Sequence, residues 1–305
     1  MKAWIKRGDG LRFDDVPAPT PSSDELLLRV EAISLNRGEL RGAARAAEGV
    51  IPGWDVAGTV VAEARNGKGP ANGARVVALV SGGGWAEVVS VPVAQAAIVP
   101  DEVDLEVAAT LPVAALTVVR ALQIAGSLPG KTMLVTGAAG GVGQFAIQMG
   151  HLAGATVTGV SSRRPEWGNL RDLGAGEMVA TVEEAAGPFD FILESAGGRS
   201  LSTAIECVAR GGVIVTIGNS SEEETTFNAR TLYAKGGASV YGLLVFHEVE
   251  TRRVGARDLD RVLSLVRSSR LRSSVTLRRN WTELPALLDE FERRTYSGKA
   301  VLTVG

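Results

Sequence analysis

The chain has 305 residues, 45% of them hydrophobic and 22% charged, with 37 glycines and a formal net charge of −2. This composition excludes disorder and collagen-like repeats, and the length suits about two domains of roughly 100 to 200 residues each. With 32 basic against 34 acidic side chains there is no basic field to displace counterions from a nucleic acid backbone, so nucleic acid is not an expected partner.

In chain order, the N-terminal stretch MKAWIKRGDG lacks the apolar region of a signal peptide. Short β-branched runs at 26–33, 56–64, 74–80 and 85–91 are separated by Gly, Pro and Asn, so the first hundred residues read as mostly β. After Asp104 the spacing becomes helical: Pro112 suits a first turn and Val113, Leu116, Val119 and Ala121 continue the series. The longest mainly apolar stretch, 107–119, is interrupted by Thr110, Pro112 and Thr117 and falls short of the roughly 18 to 20 residues that span a bilayer, so no membrane partner is expected.

Beyond Lys131 strands and helices alternate: strand 131–136, helix 141–153, strand 156–160, a helix near 165–173, then strands at 189–194, 212–217 and 239–245. Such alternation predicts a doubly wound parallel sheet covered by helices. The tail from Ser273 reads strand, helix, strand, and its last strand, 299–304, has no local partner and is expected to return to the N-terminal β unit. Cys207 is the only cysteine, so no internal disulfide can form and a cytoplasmic location is expected.

Metal chemistry is weakly provided for. Zinc sites draw three or four ligands from Cys, His and carboxylates, whereas this chain offers Cys207, His151 and His247, and Thr251 stands where an H-E-x-x-H motif needs its second histidine. Neither histidine follows a G-x-S-x-G elbow, which removes most support for a serine hydrolase.

The strongest local signal is MLVTGAAGGVGQFAIQMG, where an apolar strand ends at Thr136 and a helix begins near Gly141, with Gly137, Gly140 and Gly143 three apart. These glycines allow a tight turn, close backbone approach to a pyrophosphate and tight packing of helix on strand, while the free N–H groups of the helix start face the anion. Val142, Phe145, Ala146, Met149 and Leu152 give the helix one apolar face. This pattern predicts a dinucleotide site that includes Gly137, Ala139, Gly140, Gly141, Val142 and Gly143.

An NAD site usually places a carboxylate on the ribose about 20 residues after this turn. Here, 18 residues after Gly143, stand Ser161, Ser162, Arg163 and Arg164. Hydroxyls and guanidinium groups suit a 2′-phosphate, so NADPH (NADP) is the expected cofactor.

These residues carry a resemblance that covers nearly the whole chain. SLNRGELR, IPGWDVAGTV, GGGWAEVVSVP, LPVAALTVVRAL, TGAAGGVG, FILESAGG and SGKAVLTV follow in the order found in the zinc-free medium-chain dehydrogenase/reductases of the quinone oxidoreductase, or zeta-crystallin, group. Zinc-dependent relatives carry a His-Glu pair where this sequence has Trp54-Asp55. The resemblance implies an α/β protein in which a GroES-like β domain (1–110 with 268–305) is interrupted by a Rossmann cofactor domain (111–267), with the active site in the cleft and a homodimer formed through the 239–245 strand.

By the same resemblance, Asn36 is a catalytic-cleft residue near the nicotinamide and Thr117 lies beside the cofactor. Ala196 and Gly197, and Gly218 with Asn219, follow strand ends where open α/β sheets bind ligands. Leu243, Leu244 and Val245 resemble the segment whose backbone meets the carboxamide. From pattern alone, Asn36 is a turn residue, Thr117 a helix-face residue and 243–245 core. The chain departs from its relatives in its short, alanine-rich 37–52 stretch, and Tyr233, Tyr241 and Tyr296 lie far from it in sequence.

The expected activity is NADPH-dependent hydride transfer to a quinone or α,β-unsaturated carbonyl compound without a metal, the carbonyl being polarised by Asn36 or by water. Two alternatives stand beside it: an NADPH-binding sensor or structural protein without turnover, and an alcohol dehydrogenase-like activity, which lacks a zinc ion to stabilise an alkoxide.

Overall fold

The computed structural model describes residues 1–293 and 295–305. It opens with a hairpin, β1 (Lys2–Arg7) and β2 (Gly10–Asp15), followed by β3 (Glu25–Ser34), α1 (Arg37–Arg45), β4 (Asp55–Ala62), β5 (Arg75–Leu79), β6 (Val88–Pro92) and β7 (Ala96–Ile98). Helices α2 (Leu105–Ala109) and α3 (Pro112–Ala125) lead to β8 (Thr132–Thr136), α4 (Gly141–Leu152), β9 (Thr156–Val160), α5 (Trp167–Asp172), β10 (Glu177–Val179), β11 (Phe189–Glu194), α6 (Gly198–Cys207), β12 (Val208–Thr216), α7 (Ala229–Tyr233) and β13 (Ser239–Gly242). The chain ends with α8 (Val245–Arg252), α9 (Gly255–Arg267), β14 (Val275–Asn280), α10 (Leu284–Glu292) and β15 (Lys299–Thr303).

By packing, the chain forms two units, one of Met1–Leu116 with Phe246–Gly305 and one of Thr117–Val245. The expected cofactor domain, 111–267, extends beyond the second of these units at both ends. The physical reason at the C-terminal end is the seating of α9: an added Cβ at Gly255 would lie 3.2 Å from both Ala94 O and Gln95 Cα, so α8 and α9 go with the β unit.

The first unit is a mainly antiparallel sheet in the order β14-β15-β3-β4-β5-β7, with β6 also pairing β3. Strand β3 buries Leu26, Leu28 and Val30 in alternation, as a strand with one face on a core must. β15 returns as expected, antiparallel to β3 with Leu302 opposite Ile33 and parallel to β14. The hairpin is tied in by Trp4, whose Nε1 donates to Trp281 O at 2.9 Å, and by Phe13, edge-on to Trp281 at 4.9 Å. Helix α1 was not legible as a helix: two glycines and a net polar composition in RGELRGAAR hide its periodicity.

The second unit is a parallel sheet in the order β10-β9-β8-β11-β12-β13. Counted from β8, this is the 3-2-1-4-5-6 order of a doubly wound dinucleotide fold, with its reversal between β8 and β11. Its last strand is shorter than the expected 239–245, because β13 pairs with β12 only from Ser239 to Gly242 and α8 starts at Val245. No helix among the described residues is long and apolar enough to cross a membrane.

Candidate functional site

Nearly all the residues expected to hold a cofactor follow the C-terminal ends of the parallel strands in the second unit. The turn after β8 has Gly137 at φ +62°, and a Cβ on Gly143 would lie 2.3 Å from Gly137 O and 2.7 Å from Ala138 Cα. Only a glycine lets α4 press so closely on this turn. Gly140, the residue before α4, provides no side-chain cap, so the first N–H groups of the helix are left for an anion. The residues present therefore fit a pyridine nucleotide, whose phosphates Gly137, Ala139, Gly140, Gly141, Val142 and Gly143 would cradle.

At the reversal of the sheet, Ser195 N donates to Thr136 Oγ1 at 2.8 Å. Beside it Glu194, fully buried, accepts from Ala196 N at 2.9 Å, Gly197 N at 3.0 Å and Ser200 Oγ at 2.9 Å. This carboxylate fixes the turn carrying Ala196 and Gly197 and was not singled out from sequence. Gly197 and Asn219 are in close approach, since a Cβ on Gly197 would meet Asn219 Oδ1 at 2.1 Å, and Gly218 lies over Ser195 O.

After β9, Ser161 is buried, its Oγ accepting from Arg163 N at 3.2 Å and its carbonyl from Trp167 Nε1 at 2.9 Å. Arg164 lies over the Trp167 ring at 5.0 Å, with Arg171 at 5.8 Å from the same ring. Ser162 and Arg164 are exposed and Arg163 is half-buried. Leu243 N donates to Thr216 O at 2.9 Å; Leu243 and Val245 are buried, whereas Leu244 is 63% exposed. Thr117 stands apart from these strand ends in sequence order, buried on α3.

In the first unit, Asn36 is the extended residue from which α1 starts, at φ −126°. Its backbone N–H donates to Glu39 Oε2 at 2.6 Å, and Glu39 Oε1 accepts from Trp54 N at 2.8 Å. The Asn36 amide nitrogen donates to Asp55 Oδ2 at 2.7 Å and to Glu39 Oε2 at 3.2 Å. Lys299 Nζ donates to Asn36 Oδ1 at 2.8 Å, Leu35 O at 3.1 Å and Asp55 Oδ2 at 3.3 Å. Asp55 Oδ1 accepts from Val113 N at 2.8 Å. All four side chains are buried.

Both hydrogens of the Asn36 amide thus face carboxylates. Burial, then the charge of Asp55, pushes the Glu39 carboxyl up to about 8. Burial also raises Asp55, against the opposing pull of Lys299 and of the Asn36 and Val113 donors. Of this group the sequence reading had only Asn36. The N-x-x-E spacing of Asn36 and Glu39 carries the signature of a helix start, while Lys299 has no local signal that ties it to Asp55.

The chain matches two family models, an alcohol dehydrogenase GroES-like domain at residues 22–101 and a zinc-binding dehydrogenase at 141–263. It is 36% identical to a chloroplast envelope quinone oxidoreductase homolog of Arabidopsis thaliana over 65% of this chain and 64% of that one. It is 33% identical to a chloroplastic quinone-oxidoreductase homolog of Spinacia oleracea over 68% and 70%, and 31% identical to prostaglandin reductase-3 of Bos taurus over 80% and 70%. In fold it resembles a mycobacterial protein solved with NADPH, at 24% identity and a TM-score of 0.90 over 99% of this chain and 100% of that one.

The chain belongs to the quinone oxidoreductase group of the medium-chain dehydrogenase/reductase superfamily. The matched stretch spans 64% of the length of the Arabidopsis relative.

Members of this superfamily use a pyridine nucleotide. The zinc in the second family description finds no matching donor set here. Among the described residues no three His, Cys, Asp or Glu side chains gather where they could hold a metal ion. Glu39 and Asp55 are taken up by Asn36, Lys299 and backbone N–H groups, and burial raises the Cys207 thiol, which disfavours a thiolate ligand.

The raised carboxyls bind more protons in the fold than in the unfolded chain, so their contribution to stability is fully present at acid pH. It falls as pH rises from the ordinary Glu value of 4.5 through about 8 for Glu39. Urea midpoints measured at about pH 5 and about pH 8 are expected to show that fall, and Glu39→Gln to flatten it. Because an amide nitrogen cannot accept, Glu39→Gln is also expected to cost about 1–3 kcal/mol at the acid end.

Proposed function

We propose that this protein is an NADPH-dependent oxidoreductase that delivers a hydride to a quinone or an α,β-unsaturated carbonyl compound without a metal. The observation that carries this reading is the glycine turn opening onto an uncapped α4, within a chain whose relatives are named for quinone and prostaglandin reduction. When bound, the reduced nicotinamide supplies the hydride, and a quinone that takes it together with one proton from solvent becomes the hydroquinone. The chain's own residues have to bind, orient and shield the reactants.

The choice of NADPH over NADH rests on Ser161, Ser162, Arg163 and Arg164. A 2′-phosphate would find hydroxyls and guanidinium groups there with no carboxylate among them, and charge-assisted bonds of this kind are the stronger ones. Stacking on Trp167 holds the Arg164 guanidinium in place, so less side-chain freedom is lost on binding. Thr117, Ala196, Gly197, Gly218, Asn219 and Leu243 to Val245 complete the proposed nucleotide site.

We assign Asn36 a place at the acceptor carbonyl. Its amide hydrogens already face Asp55 and Glu39, so water is the donor that fits best, and the Lys299 bond to Oδ1 holds the amide in one orientation. Product protonation needs no buried acid, since an enolate or hydroquinonate is protonated by solvent.

The homodimer is proposed from β13. It closes the order of its sheet and leaves Ser239, Val240 and Gly242 exposed, as an edge open to pairing does.

The deciding assay is oxidation of NADPH, with NADH in parallel, against a panel of p-quinones and enones. Turnover with an NADPH preference is expected, and the Arg163→Ala/Arg164→Ala double variant should weaken NADPH binding by about tenfold or more while leaving NADH nearly unchanged. Tight NADPH binding without turnover on any acceptor would favour a sensor instead. Asn36→Ala, which removes the amide beside the proposed water and leaves Asp55, Glu39 and Lys299 without that partner, is expected to lower kcat/KM by about tenfold with nucleotide affinity retained, and unchanged turnover would remove Asn36 from this role. In gel filtration with light scattering a dimer is expected; a clean monomer rules the pairing out.

A further inference from the structure

Trp54 occupies an unusual seat in the first unit. Its backbone is pinned on both sides: N–H to Glu39 Oε1 at 2.8 Å, and carbonyl from Val80 N at 2.8 Å. Its benzo ring lies against α1 where the helix has no side chains. A Cβ on Gly38 would lie 2.8 Å from Trp54 Cη2, and one on Gly42 would lie 3.7 Å from Cζ2. Gly38 and Gly42 are four residues apart and so share one helix face. Glycine disfavours a helix relative to alanine, yet at Gly38 it leaves the shelf on which the indole rests, whereas Gly42 lies only within ordinary contact distance of the ring.

The other side of the corner is Phe246. Its ring centroid is 4.9 Å from that of Trp54 at an interplanar angle of 69°, and both residues remain partly exposed. Two rings held nearly at right angles present a face and an edge together. That shape fits a flat conjugated ring, which can stack on one partner and meet the other edge to face, the two arrangements that aromatic quadrupoles favour. The electron-poor ring of a quinone suits the electron-rich face of an indole. An open-chain enone has fewer atoms to cover the corner and rotatable bonds to freeze.

We propose that Trp54 and Phe246 form an aromatic corner that binds planar ring acceptors and sets a preference for quinones over open-chain enones. This inference rests on the proposed reductase activity, and adds to it the side chains that discriminate between acceptors. Trp54 is fixed beside the Asn36–Glu39 segment by its own N–H bond to Glu39, so the corner adjoins the residue assigned to the acceptor carbonyl.

The test compares menadione with ethyl vinyl ketone at saturating NADPH in the wild type and in Trp54→Leu, Phe246→Leu, Gly38→Ala and Gly42→Ala, each checked for folding by circular dichroism. Trp54→Leu is expected to lower kcat/KM for menadione by about tenfold or more and for the enone by less than about threefold. Phe246→Leu and Gly38→Ala, which pushes the indole off its shelf, should lower the menadione value in part. Gly42→Ala, where the added methyl reaches only ordinary contact distance, should leave both acceptors unchanged. Equal losses for both acceptors, or no loss in Trp54→Leu, overturn the proposal. If Trp54→Leu does not fold, the Phe246→Leu and Gly38→Ala ratios decide. If the wild type reduces neither compound, the activity reading fails and the corner is judged by binding alone. Saturable quenching of tryptophan emission by menadione, present in the wild type and lost in Trp54→Leu, supports it; quenching that is the same in both overturns it.

Discussion

The constraint on which the first unit depends is the burial of four polar side chains that are satisfied by one another and by neighbouring backbone groups. Asn36, Glu39, Asp55 and Lys299 are withdrawn from water, and a buried charge left unpaired costs several kcal/mol. Asp55 begins β4, Lys299 begins β15 and Asn36 starts α1. Their bonds therefore fix the mutual placement of three elements drawn from opposite ends of the chain. Trp54 inherits its position from this arrangement, because the same Glu39 that answers Asn36 also holds the Trp54 backbone.

The second unit follows a simpler rule. Parallel strands joined by helices leave their carboxyl ends on one edge, and the order reverses where β8 and β11 lie side by side. At that reversal the glycine turn of Gly137 to Gly143 meets the Glu194-anchored turn of Ala196 and Gly197. A ligand approaching this edge finds backbone N–H groups instead of side chains. The phosphate recognition proposed there would depend on the absence of Cβ atoms.

Much of this was legible beforehand, and the reason is locality. The phosphate turn, the alternation of strands and helices and the serine-arginine cluster are encoded within short windows, where strand and helix periods and glycine spacing act directly. The orphan status of the last strand was equally readable, since a β-rich segment with no neighbour in sequence must find one in space. The end of the second unit is not written in the sequence, because α8 and α9 look like any helices following a parallel strand, and only packing groups them with the β unit. Helix α1 is hard to read from sequence because Gly38 and Gly42 weaken a helical pattern, although Gly38 is what Trp54 requires.

By itself, the sequence determined a two-part α/β chain, a glycine turn between strand and helix and the family to which the protein belongs, because each is written in contiguous residues whose local geometry leaves little choice. The tertiary structure alone decided that Lys299 lies against Asn36 and Asp55, 263 and 244 residues away, and that Trp54 stands edge to face with Phe246. Contacts at that separation depend on which strands pair and how the core closes around them, and a charge or a ring in the sequence does not name its partner until the fold has removed it from water.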